Sequence, residues 1–190
     1  MEKRESWVYT LEMTKEEEFI PNKDFSNQLE LKEIEPNAFL NWSLFCAVGL
    51  PWKWNSRLKW SLTEWEEYFT QGNCSTFLAF SEKTIVGYFE LENNKEKRTE
   101  IKFVGLLPNE IGKKYGSALF SHAINQAWKS GAKSVWLHTC SNDHEFALNS
   151  YIKRGFKLIR KEIDKETTPT KEDLLKQSPN FLHSYINHHL

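Results

Sequence analysis

The 190-residue chain has little cysteine, only three residues, and they are scattered as Cys46, Cys74 and Cys140. An odd, unclustered set excludes a disulfide framework and fits a reducing compartment. No apolar run approaches the ~18 residues that a membrane-spanning helix needs. The first residues, Met1-Glu2-Lys3-Arg4-Glu5-Ser6, lack the apolar core of a secretory signal, so a cytoplasmic location is expected. There is no internal repeat and no long low-complexity stretch. There is also no Walker A sequence and no GxGxxG fingerprint, which removes the two commonest nucleotide-binding signatures. Net charge is only −1, which argues against bulk nucleic-acid binding.

What is present points to one domain with an appended tail. Hydrophobic residues make up 39% and aromatics 14%, with eight tryptophans concentrated in the first half. Large aromatics of this kind line ligand sites as well as cores. The charge is uneven. Residues 1–35 carry ten acidic and five basic side chains, whereas residues 101–160 carry nine basic and three acidic ones. A basic segment on a neutral chain suits an anionic ligand, although a lysine-rich solvated helix face would read the same way.

Hydrophobic periodicity predicts strands at Trp7–Met13, Leu29–Ile34, Thr76–Phe80, Thr84–Leu91, Thr99–Leu107, Ser134–Thr139 and Phe156–Ile163. Short turns between Thr76 and Leu107 make the middle three an antiparallel meander. Helices are predicted from Pro36 and Asn37 to about Val48, and from the capping-box pattern Ser61-Leu-Thr-Glu64 to near Gly72. Two more are predicted over Lys113–Lys129, where Leu119, Ala123, Ile124, Ala127 and Trp128 share one face, and over Phe146–Arg154. The unit from Thr99 to Thr139 reads as a right-handed parallel crossover. Antiparallel strands feeding one such crossover define a mixed-sheet α/β domain over residues 1–163, the first 28 forming a strand and an acidic loop. Residues 164–190 follow as a C-terminal extension, with a short helix near Lys171–Lys176 and a strand or helix at Phe181–Ile186.

The stretch most informative about function is Gly105-Leu-Leu-Pro-Asn-Glu-Ile-Gly-Lys-Lys-Tyr-Gly-Ser-Ala-Leu119. A strand ends, a loop with two glycines follows, and a helix begins. Unpaired N–H groups at a helix N-terminus, with the helix dipole behind them, bind phosphate. Gly112 and Gly116 let backbone approach oxygen atoms closely, and Lys113 and Lys114 add charge. A plain strand-to-helix turn accounts for the same residues equally well.

Ile111-Gly112-Lys113-Lys114-Tyr115-Gly116-Ser117-Ala118 resembles the acetyl-CoA loop of the GNAT N-acetyltransferases, (Arg/Gln)-x-x-Gly-x-(Gly/Ala). Here Ile111 stands in the Arg/Gln place and Lys114 in the middle Gly place. Tyr151-Ile-Lys-Arg-Gly155-Phe156 resembles the Tyr-x-x-x-Gly-Phe end of the same domain. The segments Leu11-Glu-Met-Thr14, Val48-Gly-Leu-Pro-Trp-Lys-Trp54, Gly87-Tyr-Phe-Glu-Leu91, Phe103-Val-Gly-Leu-Leu-Pro108 and His138-Thr-Cys140 with Asp143-His144 are similar to one bacterial GNAT subfamily. The resemblance spans roughly residues 7–160, and its strength lies in the order and spacing of the motifs together.

The resemblance implies a central sheet with a splayed parallel pair, helices on both faces, and coenzyme A inserted at the splay. It places the pantetheine arm along Val104, Gly105, Leu106 and Leu107. The pyrophosphate falls on Gly112, Lys113, Lys114, Tyr115, Gly116 and Ser117. His144 stands where many relatives carry a coenzyme-binding Asn. The implied reaction is direct attack of a primary amine on acetyl-CoA, with no acyl-enzyme. The amine must lose a proton and the departing thiolate gains one. Tyr151 matches the family's proton donor, a group that stays protonated at neutral pH; the alternative for it is a packing aromatic. Glu100 and Glu90 are the candidate general bases, acting through water, or else ordinary strand carboxylates.

Trp52, Trp54 and Arg57 are expected to form the acceptor side. Two aromatic walls and an arginine suit an acceptor with an apolar or cationic body and a carboxylate, and at least one of the tryptophans is expected in the core. The spacing His138-x-Cys140-x-x-x-His144 resembles a metal site but supplies too few ligands, so no metal is expected. Cys140 activated by His138 or His144 would make an acylated nucleophile, against the family chemistry. The expected partner is an amine acceptor, a small molecule or a peptide, with a homodimer allowed and neither nucleic acid nor membrane. Beside small-molecule and protein acetyltransferases stands a third class, a non-catalytic acyl-CoA-binding module.

Overall fold

Residues 74–106 carry three runs of apolar, β-branched and aromatic residues broken only by tight turns, and in the computed structural model they form the expected meander. The structure describes residues 6–23, 25–164, 170–177, 183–184 and 187. In chain order the elements are β1 (Ser6–Met13), α1 (Phe25–Gln28), β2 (Glu30–Ile34), α2 (Ala38–Gly49), α3 (Leu62–Thr70), β3 (Cys74–Ser81), β4 (Thr84–Asn93) and β5 (Arg98–Leu106). Then come α4 (Gly116–Lys129), β6 (Ser134–Cys140), α5 (Ala147–Lys153), β7 (Lys157–Asp164) and α6 (Lys171–Gln177). The helix starts are fixed locally. Asn37 accepts from Leu40 N at the head of α2, and Ser61 and Glu64 close a reciprocal capping box on α3.

The seven strands make one mixed sheet in the order β2-β3-β4-β5-β6-β1-β7. Among the described strands only β5 and β6 are parallel, as a strand-helix-strand crossover requires. The N-terminal strand lies between β6 and β7, antiparallel to both. Strand alternation sends Phe77, Phe89, Leu91, Val135 and Leu137 to one face, where Leu119, Ala123, Ile124 and Ala127 of α4 cover them. It sends Leu78 and Tyr88 to the other face, under Phe45 and Val48 of α2 and Trp65 of α3. Leu174 of α6 is 0% exposed in that second cluster, so the C-terminal extension contributes to the core. Most of Phe181–Ile186, where a strand or helix was expected, lies outside the described residues.

Two local differences from the sequence expectation have clear causes. The helix expected from Lys113 begins at Gly116, because Gly112 (φ 87°) and Lys114 (φ 69°) are left-handed and interrupt any helical run. Lys114 thus adopts the backbone that a glycine in its place would supply, at a cost of about 1 kcal/mol. The second difference is a bulge in β5. Ile101 pairs with Leu91 and Phe103 with the adjacent Glu90, so Lys102 is an extra residue. The bulge turns Ile101 and Phe103, two residues apart, into opposite clusters.

Gly155 fastens the domain's N-terminal crossing to α5. Its φ is 102°, and a Cβ there would lie 1.9 Å from the Glu18 carbonyl oxygen; beside it, Ile20 N donates to Arg154 O at 3.1 Å. Gly155→Ala therefore strains both the backbone and this contact. Urea unfolding is expected to show a loss of more than about 1 kcal/mol; an unchanged midpoint would mean that the crossing segment moves aside freely.

Candidate active site

The site begins where the sheet parts. β5 and β6 pair only at Arg98–Ser134, Thr99–Val135 and Glu100–Trp136. Beyond those pairs β5 stays with β4 as far as Gly87–Leu106, and β6 stays with β1 as far as Val8–Cys140. The backbone of residues 101–106 therefore has no strand on its β6 side. Backbone N–H and C=O groups left like this demand partners, and an extended ligand with amides of its own can supply them. Val104, Gly105 and Leu106 lie along this edge, and Leu107 follows it.

The loop at the end of the gap is open to a ligand. A Cβ added to Gly112 would meet nothing within 4 Å, and one on Gly116 would meet only Leu106 Cδ1 at 3.7 Å. Gly116 opens α4, so the unpaired N–H groups of that helix face the loop. Lys113 pairs with Glu110 at 3.0 Å. The Tyr115 hydroxyl shares a 2.9 Å hydrogen bond with Ser81. Arg154 donates to the hydroxyl of Ser117, a contact the sequence did not signal.

Tyr151 reaches the same region from α5. Its ring packs on Phe120 at 4.6 Å. Burial pushes its hydroxyl above the ordinary tyrosine value, helped by the nearby Asp143 charge and opposed by a hydrogen bond with Thr139. The Thr139 hydroxyl also donates to Asp143, which in turn accepts from Cys140 N at 3.0 Å. Tyr151 thus remains a protonated group at the end of β6.

Glu90 and Arg57 are brought together, but in the core. Arg57 Nη1 donates to Glu90 Oε2 at 2.9 Å, and the two side chains are 2% and 0% exposed. Asn41 Nδ2 donates to the other carboxylate oxygen at 2.8 Å. The guanidinium lies 4.1–5.0 Å from the ring centroids of Tyr68, Phe103, Trp60 and Trp65. Burial raises the Glu90 carboxyl above the usual range, and Arg57 and Asn41 pull it back. This geometry corrects two expectations. Arg57 is not presented to an acceptor, because its charge is spent on Glu90 inside an aromatic box. Glu90, with no solvent contact, has no water through which to act as a base.

Glu100 is different. Its carboxylate is buried, but it contacts His138 Nδ1 at 2.9 Å and Lys102 Nζ at 3.0 Å. Burial works against its charge; His138 and Lys102 outweigh burial and hold the carboxyl below the usual range. Lys102 also approaches Glu92 at 3.4 Å, and Tyr68 donates to Glu92 at 2.7 Å. The signal that could have located His138 is its alternation with Val135 and Leu137, which puts it on the sheet face opposite α4.

Trp52 and His144, expected on the acceptor and coenzyme sides respectively, touch each other at 5.1 Å. Trp52 follows α2, whose Val48 sits over Gly105 of β5, while His144 follows β6, so this contact bridges the two banks of the gap. Trp54 packs on Phe45 and Phe103 and is the core tryptophan of the pair. Among the described residues no group of three or more His, Cys, Asp or Glu could hold a metal ion. No described helix is long and apolar enough to cross a membrane.

With the parted sheet and its loop in view, comparison with known families is decisive. The model of the acetyltransferase (GNAT) family matches residues 36–156. The chain belongs to the GNAT family. A search of the curated proteins finds no match. Solved GNAT structures share the fold at low identity. A GCN5-related N-acetyltransferase from Sphaerobacter thermophilus is 14% identical with a TM-score of 0.60, over 84% of this chain and 50% of that one. An acetyltransferase from Bacillus subtilis in complex with CoA is 21% identical with a TM-score of 0.52, over 68% and 76% of the two chains. The PaiA N-acetyltransferase from Thermoplasma acidophilum in complex with coenzyme A is 18% identical with a TM-score of 0.51, over 73% and 94%. The region shared with the Sphaerobacter protein is thus about half of that protein's length.

The buried pair has a measurable signature in this GNAT domain. Arg57→Ala leaves the Glu90 carboxylate unpaired in the core, a change expected to cost about 3–5 kcal/mol. Urea unfolding should show that loss, while acetyl-CoA affinity of the folded fraction stays within twofold. A large affinity loss without destabilisation would return Arg57 to the site.

Proposed function

We propose that this GNAT protein moves an acetyl group from acetyl-CoA to the primary amine of a small molecule. The observation that carries the reading is the parting of β5 from β6 after three pairs, with an unencumbered glycine loop and the head of α4 at its end. Acetyl-CoA supplies the activated acyl group.

The backbone of Val104–Leu107 receives the extended pantetheine arm as an added strand. The N–H groups of Gly116 and Ser117, with Lys113 and Lys114 beside them, hold the pyrophosphate. Tyr151, protonated at neutral pH and placed at the end of the parted strands, donates its proton to the leaving thiolate. The Trp52–His144 ring contact offers an aromatic surface beside the end of β6, which suits a small acceptor. With Arg57 turned inward, the acceptor's recognition rests on aromatic surface, which suits an apolar or cationic body.

Calorimetry with acetyl-CoA tests the reading directly. Binding is expected, with a raised thermal midpoint and an affinity that falls as salt rises. Gly116→Val should fold normally, since its Cβ meets only one ordinary contact, and should lose affinity sharply. Absence of any binding heat at millimolar acetyl-CoA would remove the proposal. Tyr151→Phe should lower turnover by roughly 10²–10⁴ with little change in coenzyme affinity, because the proton is needed only in the transition state. Full turnover in the folded variant would take Tyr151 out of the chemistry.

A further inference from the structure

Resting on the acetyl-transfer reading, we infer that His138 is the group that takes the proton from the acceptor amine, and that Glu100 positions it. Neither carboxylate expected as the base is free to act. Glu90 is sealed, and Glu100 spends one oxygen on Lys102 and the other on His138. His138 is the exposed end of this chain. Its side chain is 49% exposed, against 6% for Glu100.

The arrangement also fixes the tautomer. An ionised carboxylate only accepts hydrogen bonds, so Nδ1 of His138 donates to Glu100, and in the neutral ring Nε2 carries the lone pair. Nε2 lies on the side of the ring away from Glu100. Glu100 is itself anchored by Lys102, Lys102 by Glu92, and Glu92 by Tyr68, so the imidazole is held from behind by a network across β4 and β5.

The position along β6 completes the case. His138 is two residues beyond Trp136, the last residue paired with β5, and so stands where the gap opens. Its neighbour Thr139 is buried and bonds with Tyr151. Successive strand residues point to opposite faces. A proton acceptor and a proton donor therefore flank the gap from the two sides of the sheet, His138 on the face of α2 and α3 and Tyr151 on that of α4. His138 Nε2 takes the proton of the bound ammonium; the neutral amine nitrogen then forms a bond to the acetyl carbon and gives its second proton to solvent. The carbon–sulfur bond breaks, and the thiolate takes the Tyr151 proton. His138 then releases its proton to solvent and the tyrosinate recovers one, so the products are an N-acetylamine and free CoA thiol.

The groups that face His138 are Glu100 and Lys102 on β5 and Glu92 on β4 behind them. On β1 are Thr10, directly opposite, and Glu12, which is paired to Arg98, and Arg160 of β7 lies beyond Thr10. Of these, only Glu100 bonds the imidazole.

The experiment uses the full chain with acetyl-CoA and two probe amines: phenethylamine, protonated at neutral pH, and hydroxylamine, which is not. In His138→Gln, thiol release with phenethylamine should fall by roughly 10²–10⁴, and hydroxylamine turnover, corrected for its uncatalysed reaction, should fall less than tenfold. Acetyl-CoA affinity by calorimetry should be unchanged. Glu100→Ala should lower kcat with phenethylamine while acetyl-CoA affinity stays unchanged, and Glu100→Gln, which keeps an acceptor for Nδ1–H, should restore most of that loss. Phenethylamine turnover within threefold of wild type in His138→Gln would overturn the proposal, as would an equal loss with both amines. If the wild type binds acetyl-CoA yet turns over neither amine, the base assignment falls while the coenzyme site stands; if it binds no acetyl-CoA, the underlying reading falls first.

Discussion

Everything in this domain turns on two parallel strands that pair briefly and then separate. β5 and β6 each have a better neighbour. β5 is held antiparallel to β4 from Asn93–Thr99 to Gly87–Leu106, with one bulge, and β6 is held antiparallel to β1 over six pairs from Val8–Cys140 to Met13–Val135. Parallel pairing is the weaker of the two ladders per residue, so where the strands twist apart it is this ladder that yields. The bulge at Lys102 adds local twist to β5 just past its last paired residue, Glu100. The result is a row of backbone groups with no partner strand, which is a standing requirement for a ligand or water.

Two glutamates on the α2 and α3 face of the sheet, Glu90 and Glu100, stand in contrasting settings. Glu90 is matched to Arg57 inside aromatic rings, and such a pair does little for net stability while making the loss of either partner expensive. It cannot trade protons with solvent. Glu100 is also buried, with 6% of its side chain exposed, but its partner His138 reaches water. A buried carboxylate behind a half-exposed imidazole fixes one ring nitrogen and leaves the other as a basic atom at the surface. The distinction between structural and chemical carboxylates here comes from the partner, since both sit on neighbouring strands of the same sheet face.

Much of this was legible in the sequence. The meander, the capped helices and the strand-loop-helix order around Gly112–Ser117 follow from local rules, and local rules decided them. What was not legible depends on tertiary neighbours. The start of α4 moved because Lys114 takes a left-handed conformation, which nothing in a lysine announces. Arg57 was placed at the acceptor side from its neighbours in sequence, but its environment is set by Trp60, Trp65, Tyr68 and Phe103, from the loop before α3, from α3 itself and from β5. His138 was weighed only as a metal ligand or an activator of Cys140, because its distance to Glu100 is a property of the parallel register and not of spacing along the chain.

The position of β1 also escaped a sequence reading, and it bears on how far the family pattern explains the protein. The family match covers residues 36–156, which includes both banks of the gap and Tyr151. It excludes β1, the strand that holds β6 on its far side, and Leu174 of α6, which is buried among α2 and α3 residues. Without β1 the residues 137–140 would lack a ladder on either side, since β5 has already left them. A strand unpaired at both edges does not hold His138 and Thr139 on opposite faces of anything. The alternation that sets the proposed acid and base against each other is therefore imposed from outside the family segment, by the first described strand of the chain.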